Sequence, residues 1–342
     1  MHGLKVPLKD AQKVKELLVG KGLLSAEWKV KKSGSFIYFP LKKAVKLPYP
    51  VVDIALEPRE VPRDIRTRLK DALSSAEMQQ LKTSADTIGS IAIIELDAGL
   101  EKKKKIIGKE FLRQNKSIKT VLMKSGGHEG ELRLQKFEFL AGVRTTEAVH
   151  KENGAIIRLD VEKVYYSPRT ANERLRIARQ VLPGERVLVM FSGCAPFPCV
   201  IAKNAQPKEI AGIELNQDGH KYGLENVKVN KLKNVHLICG DVKTIVPKLM
   251  TKNDKRQTTF DRIIMPLPKS AGDFLDTALL VAKKGTIIHF YNFQKEGEFD
   301  IAADMVKSAC KKAGMKCKIL RIVKAGQNAP RTFRICVDAV IL

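Results

Sequence analysis

From Ser167 to the C-terminus, short apolar runs alternate strictly with stretches of helical period. The runs fall at 186–191, 210–215, 235–239, 260–265, 285–292, 317–324 and 332–341. Strands joined through a helix pair in parallel, because the helix carries the chain back across one face. Repetition of that unit predicts a doubly wound, mostly parallel α/β sheet. No helical stretch separates the last two runs, so they are expected to form an antiparallel hairpin. In such a sheet ligands bind beyond the carboxyl ends of the strands, near the point where strand order reverses.

Two smaller α/β domains are expected before it, at 1–62 and 63–164, with the doubly wound domain at 165–342. In the first, KDAQKVKELLVGKGLL has helical spacing, with Val14, Leu17 and Leu18 on one face and Gly20 near the end. SGSFIYFPLK follows as a strand, and KLPYPVVDIALEPREVPRD reads as a proline-punctuated linker. The second domain opens with a polar helix over 65–83, a buried strand in TIGSIAIIEL and a basic helix over about 99–115. KTVLMKSG, ELRLQKFEFLAG, TTEAVHKENG and AIIRLDVEKVYYS then alternate as strands of a mixed sheet.

Charge narrows the partner. The chain carries 62 Lys and Arg against 37 Asp and Glu, a net charge of +25. Nine basic and two acidic residues lie between Glu101 and Lys124. Such a surplus favours a polyanion, RNA or DNA first. No apolar run reaches the roughly 18 residues that span a bilayer, and MHGLKVPLKDAQ lacks the apolar core of a signal peptide. A soluble, cytoplasmic protein with no membrane partner is expected. The six cysteines form no C-x-x-C pair, which argues against zinc, and read as small buried hydrophobes in a reducing compartment. No metal cluster is expected. His289 reads as a strand residue, and His150 as support for its turn.

Candidate site residues sit at the strand ends. ERVLVMFSGCAPF is a strand ending at Phe191, then a small-residue turn through Ser192 and Gly193 that permits close backbone approach. It holds one glycine rather than G-x-G-x-x-G, so the dinucleotide fingerprint is not met. Glu214 ends the second strand about 20 residues on, where an acid can take both hydroxyls of a ribose. Asp241 follows the third strand, placed to accept from an adenine amino group. Each acid also reads as a surface carboxylate or a helix cap. The fourth strand, FDRIIM, stops at Pro266-Leu267-Pro268, which reads either as a stop signal before a helix that follows at once or as a rigid lip shaped to hold a flat ligand. Glu173 and Arg176 are three apart on a helix and share a face, a salt pair being the alternative reading. Arg133 alternates with Leu132 and Leu134 as if on a strand face.

The small-residue turn followed by two acids resembles the S-adenosylmethionine site of class I methyltransferases. HKENG, VYYSPR, NERLRIA, MFSGCAPF, NKLKN and MPLPKSA occur in an order and at separations similar to those of archaeal-type tRNA (guanine-37, N1)-methyltransferases. The resemblance covers essentially the whole chain, LLSAEWKVKKSGSFIYFPL of the first domain included. It implies a Rossmann-like methyltransferase domain, S-adenosylmethionine as cofactor, tRNA with G37 as partner, and a monomer. It implies that Glu173 is the general base and that Arg133 stabilises charge developing on guanine O6. It assigns Tyr165, Phe191, Gly193, Cys194, Glu214 and Asp241 to the cofactor, and Arg169, Pro266 and Pro268 to the substrate. The sequence departs from the family at Val189, where many relatives have Asp, at Ala195 for a second glycine, and at Pro266 for Asn. Two alternatives stand beside this reading. One is a wyosine-pathway enzyme acting on G37 or its tricyclic derivative; the other is a non-catalytic tRNA-binding relative.

Overall fold

A computed structural model describes residues 2–25, 27–43, 45, 47–58, 64–127, 129–251 and 259–342. The chain divides into two units, Met1–Arg68 and Leu69–Leu342. The domain boundary expected at 62–63 falls outside the described residues.

In the first unit, β1 (His2–Pro7), β2 (Lys31–Ser33), β3 (Phe36–Pro40) and β4 (Val51–Asp53) form an antiparallel sheet in the order β2-β3-β1-β4. Helix α1 (Ala11–Gly20) lays Val14 and Leu18 against Leu4, Val6, Ile37 and Phe39. Leu17, expected on that face, is 41% exposed. It sits roughly 100° round the helix from Leu18, and the narrow sheet covers only one stripe.

The polar helix expected over 65–83 is two helices, α2 (Ile65–Leu69) and α3 (Ser75–Gln80). Ser74 starts the second one: its hydroxyl accepts from the Glu77 amide while the Glu77 carboxylate accepts from the Ser74 amide. This reciprocal pair satisfies N-terminal donors that a continuous helix would not expose. TIGSIAIIEL is also two elements, β5 (Asp86–Ile88) and β6 (Ile91–Ile94), turning at Gly89 with φ +57°. A Cβ there would lie 2.4 Å from the Val149 carbonyl oxygen, so the position requires glycine.

Basic helix α4 (Lys104–Gln114) leads to β7 (Thr120–Lys124) and β8 (Phe137–Gly142), completing a mixed sheet in the order β5-β6-β7-β8. Strands β9 (Glu147–Glu152) and β10 (Ala155–Asp160) were expected in that sheet; they form a separate antiparallel ribbon. Side chains occupy the edge of β10 instead of a neighbouring strand. Asn226 exchanges hydrogen bonds with the backbone of Arg158 at 2.7 and 2.9 Å, and Asn230 with that of Ile156 at 2.9 and 2.6 Å. Asn226 is fully buried, and its amide also donates to the Cys194 carbonyl.

The remaining elements are α5 (Ala171–Ala178), β11 (Arg186–Met190), α6 (Pro196–Asn204), β12 (Glu209–Glu214), α7 (Gln217–Val229), β13 (Val235–Cys239), α8 (Val242–Thr251), β14 (Phe260–Met265), α9 (Leu275–Leu279), β15 (Ala282–Lys295), α10 (Asp300–Lys312), β16 (Cys317–Ala329) and β17 (Thr332–Ile341). The seven strands pair in the order β13-β12-β11-β14-β15-β17-β16, parallel except for β17, as the alternation predicts. Both faces are covered. On β11, Val187 and Val189 point into one core, Leu188 and Met190 into the other, and all four are fully buried. Of the cysteines, Cys194, Cys199, Cys310 and Cys336 are buried, Cys317 is half-buried, and Cys239 is exposed, against expectation. No helix among the described residues is long and apolar enough to cross a membrane.

Candidate active site

Strand order reverses beside β11, and a cavity of about 440 Å³ opens there. Its walls come from the turns that follow β11, β12, β13 and β14, from the segment leading into α5, and from the turn at Gly130–Arg133. It brings together Glu173, Arg133, Tyr165, Phe191, Gly193, Glu214, Asp241, Pro266 and Pro268. Two candidates are placed otherwise. The Cys194 side chain is fully buried and is not among the cavity walls. Arg169 lines an adjoining chamber of about 310 Å³ and donates to both oxygens of Asp86, at 2.7 and 3.0 Å. The two spaces share Arg133, Val164, Tyr165, Tyr166, Ser167 and Arg334.

The turn after β11 is strained. Phe191, Gly193 and Ala195 have φ of +61°, +56° and +63°, the left-handed region in two non-glycine residues of three. Each non-glycine costs on the order of 1–2 kcal/mol there. Ala195 therefore adopts the conformation expected of the family's second glycine. Glu214 braces this turn: its carboxylate accepts from the Gly193 amide at 2.5 Å and the Asn216 amide at 2.8 Å. Burial pushes the Glu214 carboxyl up, and these backbone N–H groups oppose the shift. Asp241 leads into α8, its carboxylate accepting from the Lys243 amide at 3.0 Å as a cap does, and it also lines the cavity. Phe191 packs edge-on against Phe274, with ring centroids 4.8 Å apart. The proline lip is a tight turn in which the Leu267 amide donates to the Met265 carbonyl. The Pro268 carbonyl accepts from Phe293 on β15. A helix does not follow the lip at once, because a turn and a 3-10 segment from Ala271 to Phe274 precede α9.

Arg133 is not on a strand. Residues 129–134 form a turn closed by the Glu129–Leu134 bridge, and Arg133 itself has φ +54°. Leu132 is 38% exposed, so the apolar alternation there reflects no buried strand face. The turn sets the Arg133 guanidinium 4.8 Å over the Tyr165 ring, and Arg334 donates to the Tyr165 hydroxyl at 3.2 Å.

Glu173 is buried, and its pairing with Arg176 is part of a larger network rather than a surface contact. Arg176 donates to both carboxylate oxygens at 2.7 Å, and the Tyr291 hydroxyl donates to Oε1 at 2.6 Å. Arg176 also reaches Asp338 at 2.6 Å. Asp338 pairs with His289 Nδ1 at 2.6 Å, and His289 Nε2 faces the Arg262 guanidinium at 2.7 Å. An arginine only donates, so Nε2 is the bare nitrogen and Nδ1–H donates to Asp338. His289 is a strand residue, as expected, but one wired into this chain. Cys336, His289 and Asp338 place donor atoms within 4.8 Å of one another. The Asp338 oxygens in that group already accept from Arg176, Arg321 and His289.

Burial holds the His289 imidazole below its ordinary value, against the pull of Asp338. At Asp338 burial raises the carboxyl, but hydrogen bonds from His289, Arg176 and Arg321 outweigh it and hold the group far below the usual range. Both shifts are depressions, so the stability they contribute is complete above the unfolded values, about 6.5 and 3.9, and is lost on acidification. The melting-temperature advantage of the wild type over His289→Gln should therefore shrink as pH falls from about 7 to 5. Differential scanning fluorimetry across that range checks it; an advantage that grows instead contradicts the assigned neutral histidine.

The motif HKENG is a clamp. The Glu152 carboxylate takes Arg174 on both oxygens at 2.5 and 2.6 Å, and both side chains are 3% exposed. The Tyr166 hydroxyl adds a bond at 2.8 Å, and the Asn153 side chain donates to the Ala171 carbonyl. His150 accepts from the Gly89 amide, so it supports that turn rather than its own. Ser192, read in the sequence only as part of the small-residue turn, also lines the cavity, as do Tyr291 and Arg334, to which sequence reasoning gave no role. A strand-end position was the available signal for Tyr291 alone.

The cavity fits a nucleoside bearing a sulfonium side chain. Ser192 Oγ lines it, buried and without a hydrogen-bond partner. A Cβ on Gly193 would meet nothing nearer than the Tyr165 carbonyl at 3.9 Å, so the backbone is open to close approach. Val189, at the family's acidic position, is fully buried between strands and is not among the walls.

A sheet ordered 3-2-1-4-5-7-6 around such a cavity is that of a class I methyltransferase. The TRM5/TYW2 methyltransferase domain profile matches residues 148–320, the TYW2 N-terminal domain residues 65–145, and the tRNA methyltransferase 5 N-terminal domain residues 3–47. The chain belongs to the TRM5/TYW2 methyltransferase family. It is 37% identical to the tRNA (guanine(37)-N(1))-methyltransferase Trm5b of Pyrococcus abyssi, over 98% of this chain and 97% of that one. It is 34% identical to the tRNA (guanine(37)-N(1))/4-demethylwyosine(37)-methyltransferase Taw22 of Nanoarchaeum equitans, over 64% and 86%. Among solved structures, the complex of aTrm5 with tRNALeu superposes with a TM-score of 0.70 at 27% identity, covering all of both chains. Methanocaldococcus jannaschii Trm5 in complex with adenosine superposes at 0.65 and 26%, covering 100% and 99%.

Proposed function

We propose that this chain transfers the methyl group of S-adenosylmethionine to N1 of guanine 37 in tRNA, with Glu173 as general base. The observation that carries the reading is the Glu173 carboxylate. It is buried and held by Arg176 and Tyr291, and it lines the same cavity as the two nucleoside-facing acids and the proline lip. N1 of guanine bears a proton, so its lone pair is not free until a base removes it. Glu173 accepts that proton. Negative charge then grows towards O6, and the Arg133 guanidinium, steadied on the Tyr165 face, offers the compensating charge. Pro266 and Pro268 give the flat base a stiff border.

Glu214, Asp241, Phe191, Ser192, Gly193 and Tyr165 would hold S-adenosylmethionine, which when bound supplies an electrophilic methyl group. Arg169 would steady the substrate from the adjoining chamber. The buried Cys194 supports the turn from beneath rather than touching the cofactor. The exposed cations of the α4 region, among them Lys102, Lys105, Lys109 and Arg113, suit the phosphates of the anticodon stem. In this reading residues 1–62 recognise tRNA, 63–164 bind RNA and 165–342 carry the chemistry.

Incubation with S-adenosylmethionine and transcripts carrying G37 or A37, followed by nucleoside analysis, tests the reading. N1-methylguanosine should appear from G37 only; no transfer despite tight tRNA binding would sink it. A second reading, methylation of a tricyclic guanine derivative, is favoured by the adjoining chamber, which leaves room for a base larger than guanine. Glu173 argues against aminocarboxypropyl transfer, which needs no proton taken from N1.

A further inference from the structure

Behind Glu173 runs a buried chain of alternating charge. The Arg176 guanidinium bridges Glu173 and Asp338, and Arg321 donates to Asp338 at 2.7 Å. Through His289 the chain reaches Arg262, which donates to both oxygens of Glu185 at 2.8 and 2.9 Å. Asp338, His289 and Arg262 are at most 1% exposed. Three carboxylates face three guanidinium groups around one neutral imidazole, so the buried members are charge-balanced, and the run opens to solvent at Arg321, whose side chain is 49% exposed. It crosses from α5 through β17 and β15 to β14, tying the helix to three neighbouring strands of the sheet.

The donors on Glu173 are unequal. Oε1 accepts from both Tyr291 and Arg176 Nη2, whereas Oε2 accepts from Arg176 Nε. A carboxylate oxygen has two in-plane lone pairs. With both pairs of Oε1 engaged, Oε2 keeps one for an incoming proton. Which oxygen is left open depends on Arg176 approaching edge-on, and that approach is set by Asp338. Without Asp338 the guanidinium would be held on the Glu173 side alone, and its outer edge would lose the acceptor that fixes its tilt.

Resting on the reading of Glu173 as base, we infer that Asp338 is a positioning residue for methyl transfer: it anchors Arg176 so that Oε2 of Glu173 is the proton-accepting atom. It touches neither substrate nor cofactor. Its effect must pass through Glu173, and this separates it from a residue that merely supports the fold.

Single-turnover methyl transfer to the G37 transcript tests this in Asp338→Asn, Glu173→Gln and the double variant, with S-adenosylmethionine affinity measured by calorimetry. Asp338→Asn should slow transfer roughly 10- to 100-fold, the usual result of mispositioning a reacting group by about an ångström. Cofactor affinity should stay within about twofold, and the double variant should be no slower than Glu173→Gln alone. An unchanged Asp338→Asn rate, losses that multiply in the double variant, or a loss traced to cofactor affinity would each overturn the inference. Should Asp338→Asn not fold, Arg176→Lys carries the same test, since it keeps the charge and removes the fork. Its loss must likewise vanish in the Glu173→Gln background. A full rate in Glu173→Gln removes the base assignment and the inference together, whereas a slow Glu173→Gln beside a full-rate Asp338→Asn removes the inference alone.

Discussion

Glu173→Gln should lower the single-turnover rate of methyl transfer by about 10² to 10⁴, the usual contribution of a positioned general base. The substitution is nearly isosteric. Its amide oxygen can still accept from Arg176 Nη2 and Tyr291, which keeps the side chain in place, while its NH2 cannot accept the bond from Arg176 Nε. What it loses is the ability to accept a proton from N1. The acids that would hold the cofactor, Glu214 and Asp241, lie at the ends of other strands, so S-adenosylmethionine and tRNA affinities should change by less than about threefold, under 1 kcal/mol. Rapid-quench transfer assays and calorimetry separate the two effects. A rate within twofold of wild type would remove Glu173 as the base and leave Arg133 without a developing charge to meet.

Why some of this was legible in the sequence and some was not follows from the range of the interactions. The sheet is written locally, because its central strands are largely apolar runs buried on both faces and bounded by turn residues. The acids at the ends of β12 and β13 could be placed for the same reason, since a strand end fixes where its next side chain lies. Arg133 could be named only through the resemblance. Its alternation with two leucines imitates a strand, whereas the segment is a turn whose use is to swing the guanidinium onto Tyr165, 32 residues away. The split at Ser74 was local and readable in principle, because S-x-x-E opens a helix. The Asn226 and Asn230 bonds to β10, 68 and 74 residues distant, were not, and they are what holds the β9–β10 ribbon apart from the neighbouring sheet. The network behind Glu173 is the extreme case. Arg176 and Asp338 are 162 residues apart, and nothing in either neighbourhood announces the other.

The largest stability effect should come from HKENG rather than from the cavity. Arg174 is 3% exposed and donates to Glu152, to the Thr170 hydroxyl and to the Ser167 carbonyl. Burial lowers its affinity for the proton, but the Glu152 hydrogen bond and the charges around it raise it further, so the guanidinium stays charged in the core. Glu152→Ala leaves that charge without its counter-ion, at about 3–5 kcal/mol. For a unit of this size each kcal/mol moves the melting temperature by roughly 2–4 °C, so a fall of about 6–20 °C is expected. The penalty belongs to the orphaned charge and not to lost attraction, because a buried pair replaced as a whole by apolar groups is often neutral. The double variant Glu152→Ala, Arg174→Met should therefore recover at least half of the loss in thermal unfolding. A single variant within 1 kcal/mol of wild type would show that water reaches the guanidinium. A double variant as unstable as the single would place the cost in lost packing. The consequence for function follows from position: Arg174 pins Ser167 and stacks 5.1 Å from the Tyr166 ring, so the same single substitution should also loosen the Tyr165–Ser167 wall that the two cavities share.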